Sequence, residues 1–320
     1  MVFSTTGVVS DQFYGSPYSM IKKHIAHCIA GLLVLTLFLK LNPRFWLKYA
    51  NVIAVTTLVG LVLVLVPWIG HSAGGARRWI VLGPLRIQPG EFAKLASVVF
   101  TAAYIHRSFF NMRKFVQGLV YPSMFLVSAA ALLLMEPDFG STAVIFGVMF
   151  LQLAVYARLS HIGGLSLLGV LALGMLVLLS PYRFRRFVSF LNPFDDPSGS
   201  GYQLLQSLVA VGSGGFWGEG LGVGQQKLFY LPAAHTDFIF AVIAEEIGLF
   251  GCAIVLTLFL LFLWRGIRIS LRLVKVPFLS SLALGCTLLT VLPAFLNVGV
   301  VTGILPTKGL VLPLVAYGGS

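Results

Sequence analysis

Apolar runs close to the length of a bilayer crossing recur near residues 25–39, 52–69, 91–105, 116–135, 142–156, 162–180, 238–263 and 278–301, with polar segments between them. A bilayer core takes ~20 mostly apolar residues per helix. The pattern therefore predicts eight spans, of which 142–156 is short enough for a tilted or partly re-entrant helix. None of the runs alternates with the period of a barrel strand, and lipid-exposed backbone must satisfy its own hydrogen bonds, so the expected fold is an all-α polytopic membrane protein. Residues 1–320 read as one integral membrane domain, with the longest polar interruption, 181–237, as a large extracytoplasmic loop.

Composition agrees with this pattern. Hydrophobic residues make up 58% of the chain and charged residues 10%, too apolar a balance for a soluble domain. Met1–Gly15 has no basic start and only a short apolar patch, so no cleavable signal is expected. Cys28, Cys252 and Cys286 fall inside predicted spans and read as small apolar residues. The formal net charge of +12 calls first for a topology map in a membrane protein, and no nucleic-acid partner is expected.

Alternating the connections assigns Lys40, Arg44, Lys48, Arg107, Arg113, Lys114, Arg158, Arg265, Arg268, Arg272 and Lys275 to one face, which holds no acid. The positive-inside tendency makes that face cytoplasmic. Every Asp and Glu falls on the other face, together with Lys22, Lys23, Arg77, Arg78, Arg86, Arg183, Arg185, Arg186, Lys227 and Lys308. Convergence of both signs above apolar helices suits binding an anionic headgroup while moving protons, although ion pairs between loops would give the same segregation.

Three outer segments carry candidate chemistry. In the first, Gly75-Ala76-Arg77-Arg78-Trp79-Ile80 precedes Gln88-Pro89-Gly90-Glu91-Phe92-Ala93-Lys94. Pro89 suits a first helical turn, and Glu91 and Lys94, three apart, share one face. Arg77 and Arg78 read either as interface anchors or as a bidentate diphosphate clamp. In the second, Glu136-Pro137-Asp138-Phe139-Gly140-Ser141 makes a tight re-entry in which Asp138 is a helix cap or a metal or substrate ligand.

The third is the 181–237 loop. It opens with basic and aromatic residues interleaved over 182–187, as at a headgroup interface, continues through a short apolar helix near Tyr202–Val211, and turns glycine-rich over 212–224, read as flexible backbone near a bulky ligand. It closes on Gln226-Lys227 and His235-Thr236-Asp237, leading into Ala244-Glu245-Glu246. Asp237 is expected in the first turn of a membrane helix with Glu245 at i+8 near the same face. An apolar surround would raise the Asp237 pKa toward that of a general base, while the helix N-terminus would stabilise its carboxylate. Thr236 and Asp237 acting only as caps would leave His235, Lys227 and the Glu245–Glu246 pair unexplained.

These segments carry a resemblance. GARRWI (75–80), QPGEFAK (88–94), EPDFGS (136–141), NPFDDPSGSGYQLLQS (192–207), QKLFYLPAAHTDFIFAVIAEEIG (226–248) and NVGVVTGILPTKGLVLPLVAYGGS (297–320) are similar to the SEDS family (shape, elongation, division and sporulation proteins), and to its division-type FtsW branch more than its elongation-type RodA branch. Departures are Ala233 where LPEAH is usual, Gly90 where QPSE is usual, and Ala316 for the usual Ser before YGGS. The resemblance implies a SEDS-type bundle of about ten transmembrane helices, with the first and last incomplete in these 320 residues. It implies a polymerase of peptidoglycan glycan strands that uses lipid II, the undecaprenyl-diphosphate-linked disaccharide-pentapeptide. A class B penicillin-binding protein would be its transpeptidase partner, alongside other division proteins and membrane lipid, at the septal plasma membrane. By the same resemblance Asp237 is the catalytic carboxylate, and Arg77, Glu91, Lys94 and Lys227 are important.

The chemistry expected is displacement of a lipid diphosphate from the anomeric carbon of one molecule by a sugar hydroxyl of another. Asp237 serves as base, and Arg77, Arg78 and Lys227 stabilise the leaving group, with or without a divalent cation (Mg or Mn). One displacement inverts the anomeric centre. His235 is assigned to substrate binding, and Asp138, Glu245 and Glu246 to support. The alternatives are a lipid II flippase or transporter, whose acids should line the full membrane depth, and a non-catalytic division scaffold, which would tolerate loss of Asp237.

Overall fold

The computed structural model describes residues 2–73, 76–83, 85–197, 199, 201–226, 231–232, 234–307 and 309–317, with the side chains of 8, 9, 13, 73, 82, 85, 159, 173, 176, 177, 182 and 183 outside that description. In chain order come α1 (Val2–Tyr14), α2 (Ser19–Lys40), α3 (Pro43–Leu65), strands β1 (Gly70–Ala73), β2 (Ala76–Leu82) and β3 (Leu85–Ile87), and α4 (Pro89–Arg107). There follow α5 (Tyr121–Met135), entered through a π-turn at Val116–Val120, α6 (Phe139–Ala154), α7 (Leu159–Leu178), α8 (Pro181–Leu191), α9 (Tyr202–Ser213), α10 (Ile239–Arg272) and α11 (Pro277–Val301). Every apolar run expected to span falls on a helix. Among the described residues, five helical stretches are long and apolar enough to cross a membrane: α2, α3, Val116–Met135, α10 and α11; Phe139–Ala154 and Ser160–Ala172 are shorter apolar helices. The protein is a multi-pass membrane protein.

The strands add a feature that helical periodicity did not predict: a small antiparallel sheet of order β1-β2-β3 between α3 and α4. Ile80 pairs with Ile87 across β2 and β3, and His71 with Trp79 across β1 and β2. Each strand has at most seven residues, too short for its alternation to stand out from the apolar runs around it.

Contacts divide the chain into two compact units. Unit 1 comprises Met1–Leu41, Leu171–Leu261 and Pro293–Ser320; unit 2 comprises Asn42–Val170 and Phe262–Leu292. In unit 2, α4 is the buried centre. Its small residues Ala93, Ala96, Ser97, Ala102 and Ala103 let α3, α5 and α6 approach closely, the usual solution where helices pack without a hydrophobic driving force between them. Gln152 of α6, fully buried, donates from Nε2 to the Ser281 carbonyl at 2.9 Å, so its donor end is satisfied inside the apolar interior. Helix starts follow local chemistry: Asn42 caps α3 by accepting from the Arg44 N–H at 2.9 Å, and Pro43, Pro89 and Pro181 occupy first-turn positions where no donor is lost.

In unit 1, the first part of α10 packs its apolar residues against α9, the end of α11 and the segment after it, with Phe238, Ile239, Val242, Val301 and Leu312 at the core. α10 breaks at Gly248 (φ 72°, ψ −164°). The polar groups freed there are taken up by the loop after α9. Glu219 N–H donates to the Glu245 carbonyl at 2.9 Å, Gly220 N–H to Glu246 at 3.1 Å, Leu249 N–H to Gly215 at 3.0 Å, and Phe250 N–H to Phe216 at 3.2 Å. A break at membrane depth is tolerable when other protein backbone satisfies it in this way. Glycine is required here because a Cβ on Gly218 would lie 2.3 Å from the Glu246 carbonyl oxygen, and one on Gly248 would lie 2.4 Å from the Gly218 nitrogen. At Gly214 and Gly218 this glycine-rich stretch serves close backbone approach. Cys252 is buried, whereas Cys28 and Cys286 are exposed on their helices; all three are free thiols.

Candidate functional site

Asp237 lies in the turn before α10, two residues ahead of the first helical turn where the sequence pattern put it. Its main-chain carbonyl accepts a hydrogen bond at 2.6 Å from Nδ2 of Asn297 on α11, and the same amide donates to the Leu310 carbonyl. One buried side chain thus fixes both the carboxylate-bearing turn and the segment after α11. Among the described residues the Asp237 carboxylate itself makes no hydrogen bond, to the α10 N-terminus or elsewhere; it is no cap. Gly309 faces it so closely that a Cβ there would lie 2.7 Å from Oδ2. Burial raises the Asp237 pKa above the ordinary carboxylate range.

His235, two residues earlier, is half-buried; its carbonyl accepts from the Tyr317 N–H at 3.0 Å, and its ring meets the Tyr317 ring edge-on at 5.9 Å. Burial lowers its pKa, so the ring is neutral near pH 7. Glu245 is turned away from a shared face with Asp237: its Oε1 accepts from the Gln225 and Gln226 N–H groups at 2.7 and 3.1 Å. It holds the backbone that leads into Lys227, which lies outside the described residues. Glu246 accepts from Ser4 Oγ of α1 at 2.6 Å. Both glutamates are buried.

The other predicted residues belong to unit 2. Arg77 on β2 is exposed. Arg78 staples the turn between α5 and α6, donating from Nε to the Glu136 carbonyl at 3.1 Å and from Nη2 to the Pro137 carbonyl at 2.5 Å. Two of its donors are thereby committed to backbone. Glu91 and Lys94, in the first two turns of α4, form an ion pair at 2.7 Å. Asp138 caps α6, accepting from the Ser141 N–H at 3.1 Å and the Ser141 hydroxyl at 2.7 Å.

Glu136 stands out between them. It is 1% exposed, and neither carboxylate oxygen has a hydrogen-bond partner among the described residues. Desolvation, with Asp138 adding to it and the Arg78 guanidinium opposing it, pushes its pKa up to about 8. Among the described residues, no three His, Cys, Asp or Glu side chains gather as a metal cage.

Asn297, Gly309 and Glu136 escaped the sequence reading as site residues. The signal for Asn297 was present, a lone amide inside an apolar helix that must find partners. Glu136 stood in a noted turn. Gly309 carried no signal, since its importance lies in what it leaves empty.

The family model described as cell cycle protein, that of FtsW, RodA and SpoVE, matches residues 1–320. A probable peptidoglycan glycosyltransferase FtsW of Legionella pneumophila is 41% identical over 323 residues, covering all of this chain and 82% of that protein. Stage V sporulation protein E of Bacillus subtilis is 40% identical over 326 residues, covering all of this chain and 87% of its own length. Among solved structures, a peptidoglycan synthase complex that coordinates polymerization and crosslinking matches with TM-score 0.76 and 30% identity over 99% of this chain and 89% of that chain. The rod shape determining protein RodA of Thermus thermophilus matches with TM-score 0.68 and 28% identity over 99% and 87%.

Proposed function

The chain belongs to the FtsW, RodA and SpoVE family of cell cycle proteins, and from that premise we propose that it polymerises peptidoglycan glycan strands from lipid II during cell division, with Asp237 as the general base. The observation that carries this reading is the state of Asp237: a half-buried carboxylate on an immobilised turn, held above its usual pKa and with no hydrogen bond of its own among the described residues. A carboxylate spent on a cap or an ion pair has no basicity to offer; this one retains it.

Asp237 takes the proton of the acceptor sugar hydroxyl as that oxygen forms its bond to the anomeric carbon of the donor. The bond from that carbon to the lipid diphosphate breaks, the electron pair leaves with the diphosphate, and the centre inverts in one displacement. His235, neutral, offers a hydrogen bond to sugar without adding charge beside the base. Lys227 is the cation assigned to the diphosphate, while Arg77, which is exposed, and Lys94 with its Glu91 partner are substrate-binding residues by the family resemblance alone. Arg78 acts on the substrate only through the donors left after its two backbone bonds. Glu245 supports the reaction by holding the main chain ahead of Lys227.

The likeness to a complex that coordinates polymerization and crosslinking supports a class B penicillin-binding protein as partner, and the likeness to FtsW proteins supports a septal location. The test is reconstitution of the chain with its transpeptidase and labelled lipid II, comparing wild type with Asp237→Asn. Glycan polymer from the wild type and loss of at least a hundredfold in the variant is the expected result. Undiminished polymer from the variant overturns the assignment of the base, and movement of lipid across the bilayer without polymer marks a transporter instead.

A further inference from the structure

The segment Pro181-Tyr182-Arg183-Phe184-Arg185-Arg186-Phe187-Val188-Ser189-Phe190-Leu191 folds as α8, an eleven-residue helix, where the sequence pattern gave only an interleaving of bases and aromatics at the head of a loop. Folding it as a helix sorts that interleaving. Phe184, Phe187, Val188 and Leu191 fall at i, i+3, i+4 and i+7 and make one stripe. That stripe is uncovered: the four side chains are 41–67% exposed. On the helical projection Arg185 flanks the stripe, with Arg186 beyond it, and no acid occurs in the helix. Asp195 and Asp196, the nearest acids after it, lie past its C-terminus, where Asp195 accepts from the Asn192 amide at 2.7 Å.

Placement decides what such a face meets. α8 starts three residues after α7 ends at Leu178, so its first turn cannot leave the level of the membrane boundary. Leu178 and Leu179, at the junction, are themselves 70% and 71% exposed, which continues the apolar band from the end of α7 into α8. A helix with an apolar stripe, arginines beside it and no acid is what an interfacial helix requires: the stripe enters the boundary between headgroups and acyl chains while the guanidinium groups reach the phosphates. A protein partner would have to supply both an apolar strip and flanking acids at that same level. The bilayer already supplies the strip and its phosphates the charge.

We propose that α8 lies in the plane of the membrane and docks on the phosphate groups of anionic lipids in the leaflet on the 181–237 side, anchoring that end of the loop to the lipid surface. Each arginine near an anionic surface strengthens such docking about fivefold. The stripe fixes the rotation of the helix and the arginines fix its lipid preference.

The test uses the full chain with Cys28, Cys252 and Cys286 replaced by Ser and a fluorophore on Val188→Cys, reconstituted in vesicles of phosphatidylcholine with and without phosphatidylglycerol. The expected result is quenching by lipids brominated on the acyl chain and protection from aqueous iodide. Quenching should be several-fold stronger with phosphatidylglycerol, and Arg185→Gln with Arg186→Gln should remove that difference. Iodide quenching without bromolipid quenching overturns the docking, and protection that appears only when the transpeptidase is added assigns the face to protein and overturns it equally. Bromolipid quenching that is the same in both vesicle types and in the double variant overturns the anionic half of the proposal. A second label at Phe184→Cys, on the same stripe, must agree with the first, and circular dichroism of each labelled chain excludes misfolding as the source of either signal.

Discussion

Asn297, in the last part of α11, donates its side-chain amide to the backbone carbonyl of Asp237 across 60 residues of sequence. The amide has a second acceptor at Leu310, so one side chain sets the spacing between the turn that carries the carboxylate and the strand of backbone that faces it. Replacing it by Ala leaves two carbonyls without their donor, at a cost of roughly 1–3 kcal/mol each where they are buried. Asn297→Ala should therefore reduce glycan polymerisation by at least tenfold and also lower the thermal midpoint in detergent. Asn297→Asp should behave no better, since a carboxylate cannot donate. If polymerisation follows the thermal midpoint and is restored by lowering the assay temperature, the amide is a folding element and not a positioning one.

Gly309 gives the converse case. Its backbone is exposed and takes no left-handed conformation, so Ala there should be neutral or stabilising by up to about 1 kcal/mol through the unfolded chain. Its Cβ would nevertheless crowd Oδ2 of Asp237. Gly309→Ala is expected to keep or raise the thermal midpoint while polymerisation falls by about tenfold or more. The separation of the two readouts is the point of the experiment, and a variant with both unchanged would show that the carboxylate sits elsewhere during catalysis.

These two residues also mark how far the sequence could be read. Helix positions followed from apolar runs, because burial in lipid demands length and little else, and Asp237 was legible because an acid at the start of an apolar helix is costly without a use. What could not be read were relations between distant backbones. The break in α10 at Gly248 looks, in sequence, like one glycine in a long apolar run, and its meaning depends on Gly218 thirty residues earlier. Arg78 looked like a ligand for phosphate because nothing in GARRWI announces that the carbonyls of Glu136 and Pro137 will occupy two of its donors. The stripe of α8 was hidden by the arginines inside it until the helical period separated them.

The pH profile should report Asp237. As base it must be ionised, and burial raises its pKa, so polymerisation should rise with pH along an acid limb displaced above the ordinary carboxylate range. His235 is shifted down by burial and is assigned to hydrogen bonding rather than proton transfer, so His235→Asn should lower the rate but leave the limb in place. Movement of the limb in that variant would assign the titration to the imidazole.

Glu136 makes a prediction about stability. Its folded pKa, about 8, lies above the 4.5 of an unfolded glutamate, so the folded chain holds an extra proton between those values. Stability attributable to this residue is therefore unperturbed below about pH 4.5, falls as pH rises through the window, and is lowest above about pH 8, by up to roughly 4–5 kcal/mol. Glutamine has the shape of the protonated acid and no proton to lose. Glu136→Gln should match the wild type in thermal midpoint at pH 5 and exceed it increasingly toward pH 9. Arg78 opposes the shift through its guanidinium and also ties down the turn, so Arg78→Gln should destabilise at every pH and steepen the fall. Parallel midpoint curves for wild type and Glu136→Gln from pH 5 to 9 would mean that the buried carboxyl finds a compensating partner in the membrane.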